Sequence, residues 1–381
     1  MSSHALLSAS SSHRWMNCPP SARLCEQYED TTSTYAEEGR EAHLLGEYKI
    51  KQAMGIPSES PTRNLQCYNE EMDACTNDYA IYICELLAKA YQACTDTVWY
   101  LEQRIDFSTY VPEGFGTGDV IIVSDGTLHV IDYKHGAGVL VEAEGNPQLM
   151  LYGLGALHMF DGLYNIEKIN MTIFQPRRDN ISTYELSAGQ LYTWAEEILK
   201  PAAEVAYAGG GNYKAGGWCQ FCKAKARCRA RAEANLELAA YDFMEPALLD
   251  NDEIASILAK VDGFVSWAGD IKEYALSEAL KGTTFEGWKV VAGRSNRKYT
   301  DDSAVAEKVT ATGIDPYEHK LLGITAMEKQ LGKKRFEELL GGLIHKPAGK
   351  PVLVPITDKR EQLYITSTAD DFADYEKEGD S

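Results

Sequence analysis

Nowhere in the 381 residues do eighteen apolar residues run together, so no stretch is long enough to cross a bilayer as a helix. The opening MSSHALLSASSSHRW lacks the basic start and long apolar core of a secretory signal, and the expectation is a protein of the bacterial cytoplasm, away from membranes. No internal repeat is present. Positive charge is scarce: 37 Lys and Arg stand against 57 Asp and Glu, a net −20. Nucleic-acid phosphates need Lys and Arg, so an acidic chain of this kind could meet them only through a local basic groove. Acid gathers in the tail and in residues 37–47, base in residues 223–231, 294–298 and 346–360. Nine cysteines, odd in number and unevenly spaced, fit free thiols and a metal site better than a disulfide framework.

The length allows one large domain or two modest ones. The richest stretch is residues 114–152. Two short apolar runs, 120–123 and 128–131, flank the turn signal Ser124-Asp125-Gly126 and read as a β-hairpin. Asp119 stands at the mouth of the first strand. Asp132 and Lys134 end the second, two residues apart and so on one face. Oxygen ligands in such a place suit Mg²⁺ or Mn²⁺. Asn146-Pro147 then opens a helix, with Gln148 and Tyr152 one turn apart on the same side.

An Asp, an Asp-x-Lys pair and a following helical Gln-x-x-x-Tyr, in this order and spacing, resemble the RecB-like branch of the PD-(D/E)xK nuclease superfamily. The resemblance covers about three-fifths of the chain. It implies an α/β fold whose core is a mixed central sheet flanked by helices. It also implies a metal-dependent deoxyribonuclease, in which Asp119 and Asp132 hold Mg²⁺ or Mn²⁺. Lys134 would position the attacking water, and Gln148 and Tyr152 would position the lysine or the DNA strand. Residues 37–43, EEGREAH, match a further family motif, which makes His43 an added metal ligand. Read alone, a histidine beside the apolar stripe of Ala42, Leu45 and Tyr48 is more often a satisfied core residue. Gly39 in that helix is expected to permit close approach to the sheet. Glu102, in the strand pattern of residues 98–107, reads as a solvated strand position with a role near the metal as the lesser alternative.

Cys219, Cys222 and Cys228 form a CxxC-x5-C group within WCQFCKAKARCRAR. Three thiolates need a fourth ligand to close a site. The family likeness supplies one in Cys18-Pro19 and favours a [4Fe–4S] cluster over zinc, with Cys25 a competitor for the fourth position. Cys75, Cys84 and Cys94 lack ligand spacing and read as packing thiols. Lys223, Lys225 and Arg227 beside the cysteines, and Arg294, Arg297 and Lys298 further on, are the candidate DNA-binding bases; a solvated face is their plainer reading.

Three regions follow: residues 1–240 as the nuclease-like domain with its iron–sulfur staple, 241–368 as a C-terminal α+β region, and 369–381 as an acidic, disordered tail. In the last two-fifths, residues 287–299 read as strand-like with a basic loop. The whole chain also resembles phage and prophage proteins grouped as DUF2800, a likeness that implies no activity. The expected function is a DNA exonuclease of phage recombination or replication, working on DNA beside a phage single-strand-annealing or single-strand-binding protein. A non-catalytic DNA-binding or scaffold subunit with a four-cysteine metal site, and a zinc-stapled adaptor, are the alternatives.

Overall fold

The structure is a computed structural model and describes residues 5–29, 34–237, 249–292, 299–317, 321–345, 353–354 and 361. Residues 1–286 make one compact unit and residues 287–381 a second. The boundary expected at 240 falls outside the described residues, as do the acidic tail and Arg294, Arg297 and Lys298.

The first unit is a mixed α/β fold built on five strands: β1 (Val98–Asp106), β2 (Phe115–Ser124), β3 (Gly126–Tyr133), β4 (Ile166–Gln175) and β5 (Asn180–Ser187). They lie side by side in chain order. The β2–β3 hairpin turns at Asp125 and Gly126, where a φ of +82° suits glycine. β3 and β4 run parallel, and a crossover helix joins them as that pairing requires.

Alternation along the strands makes the two faces. Val120, Ile122, Ile131, Tyr133 and Phe174 point to one side. There they bury the inner stripes of α1 (Thr34–Ala53) and α2 (Glu70–Ala93). Asn69 caps α2 by accepting from the Met72 amide, and three acids lie in its first turn. Ile121, Val123, Leu128, Val130, Ile169 and Met171 point to the other side, against α3 (Pro147–Phe160) and the helical run 188–207. Leu7 and Trp15 complete that core. Asn146 caps α3 through the amides of Gln148 and Leu149. Just ahead of Pro201, which has no N–H to donate, the run 188–207 passes through a π-helical segment, Ala195–Leu199.

Two local expectations are corrected. Gly39 faces open space, with nothing within 4 Å of where a Cβ would sit. The close approach along α1 comes instead at Gly46, whose Cβ would lie 3.2 Å from the Tyr79 ring on α2. The C-terminal region shows helices and no strand among its described residues. Residues 287–292 are irregular, with Trp288 and Val291 largely exposed. Their alternation lacks a partner strand, and a lone strand has nowhere to send its backbone hydrogen bonds.

A long helix, α4 (Asn251–Leu280), closes the first unit and begins with a capping box between Asp250 and Glu253. In the second unit Asp301 caps Asp302–Thr310, and Gly332 at φ +75° separates Ile324–Leu331 from Lys333–Leu340.

Candidate metal centre and cysteine site

β2 and β3 part beyond the Val120–Ile131 pair, and the next residues on the two strands are Asp119 and Asp132. Their carboxylates are almost fully buried, at 9% and 2% exposure. Asp119 Oδ2 accepts from the Tyr133 amide at 2.7 Å, which aims Oδ1 at His43 Nδ1, 3.3 Å away on α1. Glu102 Oε1 approaches the same nitrogen at 3.8 Å. The three side chains bring one ligand atom each within 4.8 Å of one another.

Glu102, read from the sequence as a solvated strand position with a role near the metal as the lesser alternative, is exposed and also reaches this group. In β1 it falls between the pairs Leu101–Val120 and Gln103–Gly118, directly across from Asp119. Two carboxylates facing across a ladder repel. Its backbone is left-handed, φ +48°, an unusual and strained state for glutamate. The only trace in the sequence is an acid interrupting the apolar Trp99–Leu101 run.

A second group adjoins the first. Lys134 Nζ lies 2.8 Å from Asp132 Oδ2 and donates to Gln148 Oε1 at 3.2 Å. Gln148 Nε2 donates to Asp132 Oδ1 at 2.8 Å and reaches the Tyr152 hydroxyl at 3.4 Å. The helical spacing of Gln148 and Tyr152 thus closes a chain that begins at the strand end. Gly116 of β2 leaves room for the Tyr152 ring, which a Cβ would meet at 2.8 Å.

The charges are tightly interdependent. Burial works against a charged His43, yet the Asp119 carboxylate beside it carries the imidazole up to about 10. Burial likewise opposes ionisation of Asp119, and the His43 charge overcomes it to hold the carboxyl below the usual range. Asp132 is pushed up by burial, with Lys134 pulling the other way and Asp119 adding to the rise. Lys134, disfavoured by burial, is held charged by Asp132. Asp132 Oδ2 has its ion pair but no hydrogen bond of good geometry. A divalent cation suits this donor set: hard oxygens, one imidazole nitrogen, and surplus negative charge.

On the same unit, Cys18, Cys219, Cys222 and Cys228 line one small cavity together with Arg14 and Arg231. The Lys214 amide points at Cys18 Sγ and the Gly216 amide at Cys219 Sγ, 3.5 and 3.4 Å away. Cys25 Sγ sits 3.7 Å from Cys222 Sγ and receives the Arg14 guanidinium at 3.2 Å. The hydrogen bond shared with Cys222 draws the Cys25 thiol down to about 6 and pushes Cys222 up. Among the described residues, no three cysteine sulphurs gather as tightly as the His43–Glu102–Asp119 group. Cys75 is buried within α2, and Cys84 and Cys94 are half-buried, one in that helix and one just past its end.

The neighbouring bases are partly engaged within the protein. Lys225 and Arg231 both pair with Asp270 of α4, at 2.7 and 2.5 Å, and Arg227 lies over the Tyr274 ring. Lys223 donates to the Tyr28 carbonyl at 3.4 Å.

No described helix is long and apolar enough to cross a membrane. A family model described as "Protein of unknown function (DUF2800)" matches residues 4–361. Among solved structures the chain is similar to one titled "Crystal structure of SSO0001", at 17% identity and a TM-score of 0.23, over 51% of this chain and 98% of that one.

Proposed function

The chain belongs to the DUF2800 family, and from its site chemistry we propose a metal-dependent deoxyribonuclease of the RecB-like PD-(D/E)xK type. The reaction is hydrolysis of DNA phosphodiester bonds, as an exonuclease of phage DNA recombination or replication. One observation carries the reading: the His43–Glu102–Asp119 group, with Asp119 buried at its base and Glu102 exposed, adjoins the Asp132–Lys134–Gln148–Tyr152 chain. A core has no use for two buried carboxylates with two cations and a third acid beside them, whereas phosphoryl chemistry uses all of them.

His43, Glu102, Asp119 and Asp132 would hold Mg²⁺ or Mn²⁺. Such an ion, when bound, lowers the pKa of its water and offsets charge on a scissile phosphate. Lys134, kept charged by Asp132, is placed to hold the attacking water and oppose the charge that builds on the phosphate. Gln148 binds both Lys134 and Asp132 and so sets the lysine's direction. Tyr152 supports Gln148.

The thiols of Cys18, Cys219, Cys222 and Cys228 would hold a [4Fe–4S] cluster. The cysteine spacing favours the cluster over zinc, and one feature of the cavity suits a thiolate-bound metal group of either kind. Arg14 and Arg231 in the cavity wall offset the negative charge of a thiolate-bound cluster.

End-labelled DNA incubated with the protein and Mg²⁺ or Mn²⁺ tests the proposal. Wild type should shorten the label, while Lys134→Ala and Asp119→Ala should each lose at least about 100-fold in rate, the scale of one electrostatic or acid–base group. Cleavage by either variant at the wild-type rate would remove the site assignment. DNA binding without cleavage by wild type would establish the non-catalytic subunit instead.

A further inference from the structure

Tyr79 lies on α2 with 3% of its surface exposed, and its hydroxyl is one of the few buried side-chain polar atoms, among the described residues, that have no hydrogen-bond partner. Its ring packs on Tyr133, centroid to centroid 4.7 Å, and on Phe174 at 5.3 Å. Tyr133 stands in β3 between Asp132 and Lys134, gives its amide to Asp119, and meets the His43 ring edge at 5.5 Å. Tyr79 and His43 therefore flank the same ring. Gly46, three residues after His43, leaves room for the phenol, since a Cβ there would sit 3.2 Å from its Cδ1.

Packing accounts for the ring and leaves the oxygen unexplained. Phenylalanine would fill the same space, while a desolvated hydroxyl with no partner costs stability. Burial, then the charges of Asp119, Asp132 and Glu102, all hold the phenol protonated, so its O–H is available as a donor.

We infer that Tyr79 is a further residue of the metal site, its O–H donating a hydrogen bond to an oxygen ligand of the divalent cation held by His43, Glu102, Asp119 and Asp132. That ligand is either a metal-bound water or a phosphate oxygen of DNA. The inference rests on the metal-site reading above.

Tyr79→Phe tests it with three measurements: thermal unfolding in EDTA, Mn²⁺ affinity without DNA, and DNA cleavage. The EDTA unfolding temperature should equal or exceed wild type, because only an unpartnered hydroxyl is lost. A Mn²⁺ affinity lowered about 3- to 10-fold identifies the ligand as a metal-bound water. An unchanged Mn²⁺ affinity with kcat lowered tenfold or more identifies it as a phosphate oxygen. Unchanged Mn²⁺ affinity together with unchanged kcat would overturn the inference, as would a lower unfolding temperature in EDTA, which would mean a structural partner for the hydroxyl. If wild type binds Mn²⁺ but cuts no DNA, the nuclease reading fails on its own and the Mn²⁺ arm alone decides the role of Tyr79, with unchanged affinity counting against it.

Discussion

His43 and Asp119 form a pair whose stabilising effect depends on pH in a direction that can be worked out. The imidazole's ordinary value is near 6.5, and in the folded, metal-free protein it stands at about 10. A group raised on folding contributes stability that is complete below its unfolded value and disappears as pH climbs through the folded one. The wild type in EDTA should therefore lose unfolding temperature between about pH 7 and pH 10, and His43→Gln should lose less over that window. Equal slopes, measured by calorimetry, would show that the pair is not charged. At this scale the motif residues were legible, because Asp119, Asp132, Lys134, Gln148 and Tyr152 carry their meaning in spacing. Glu102 was legible only as the lesser alternative. Its place beside His43 depends on a left-handed φ and on which residue lies across the ladder, and neither is written in a strand pattern.

Helix α3 joins the site to the sheet, and its glycines govern how close it comes. A Cβ on Gly155 would lie 2.2 Å from Ile105 Cγ2 and 2.7 Å from the Asp106 carbonyl oxygen of β1. Backbone cannot move aside as a side-chain tip can, so Gly155→Ala should destabilise by about 1–3 kcal/mol or more, the scale of an overpacked core. Gly39 on α1 is the control: its Cβ would meet nothing within 4 Å, and Gly39→Ala should stabilise by about 0.5–1 kcal/mol through helix propensity. Denaturant midpoints of the two variants should move in opposite directions, and a shared direction would contradict the packing described. The hairpin and the capped helices were legible because turn residues, caps and periodicity act within a few positions. The glycine roles were not, since Gly39 and Gly46 look alike in a helix and differ only in what stands opposite. The strand expected across residues 287–299 fails, over the part described, for the same reason: a strand is defined by its partner.

Across the whole first unit, the cysteine site ties the start of the chain to residues about 200 positions later. Cys18 caps the end of the short helix Ser12–Asn17, and the Lys214 amide reaches its sulphur, so the two ends of the loop meet. A ligand set spanning such a loop restrains the denatured chain much as a crosslink does, worth about 5 kcal/mol in the chain-entropy picture. Arg14 connects the first cysteines further, binding Ser21 and Cys25 at once. The overall −20 charge gave no hint of this basic pocket, because Arg14 and Arg231 are used inside the fold while the excess acid is spread elsewhere. Protein purified without oxygen should be brown. Cys18→Ser and Cys222→Ser should be pale, poor in iron and lower in unfolding temperature, with DNA cleavage falling only as far as the fold is weakened, since no group at the metal centre is touched. Cys25→Ser is the discriminating variant. Its sulphur touches Cys222 but does not line the cavity shared by the other four, so colour and iron content should be retained. Loss of iron in Cys25→Ser with retention in Cys18→Ser would exchange the two assignments, and stoichiometric zinc in colourless wild type would replace the cluster with a zinc staple.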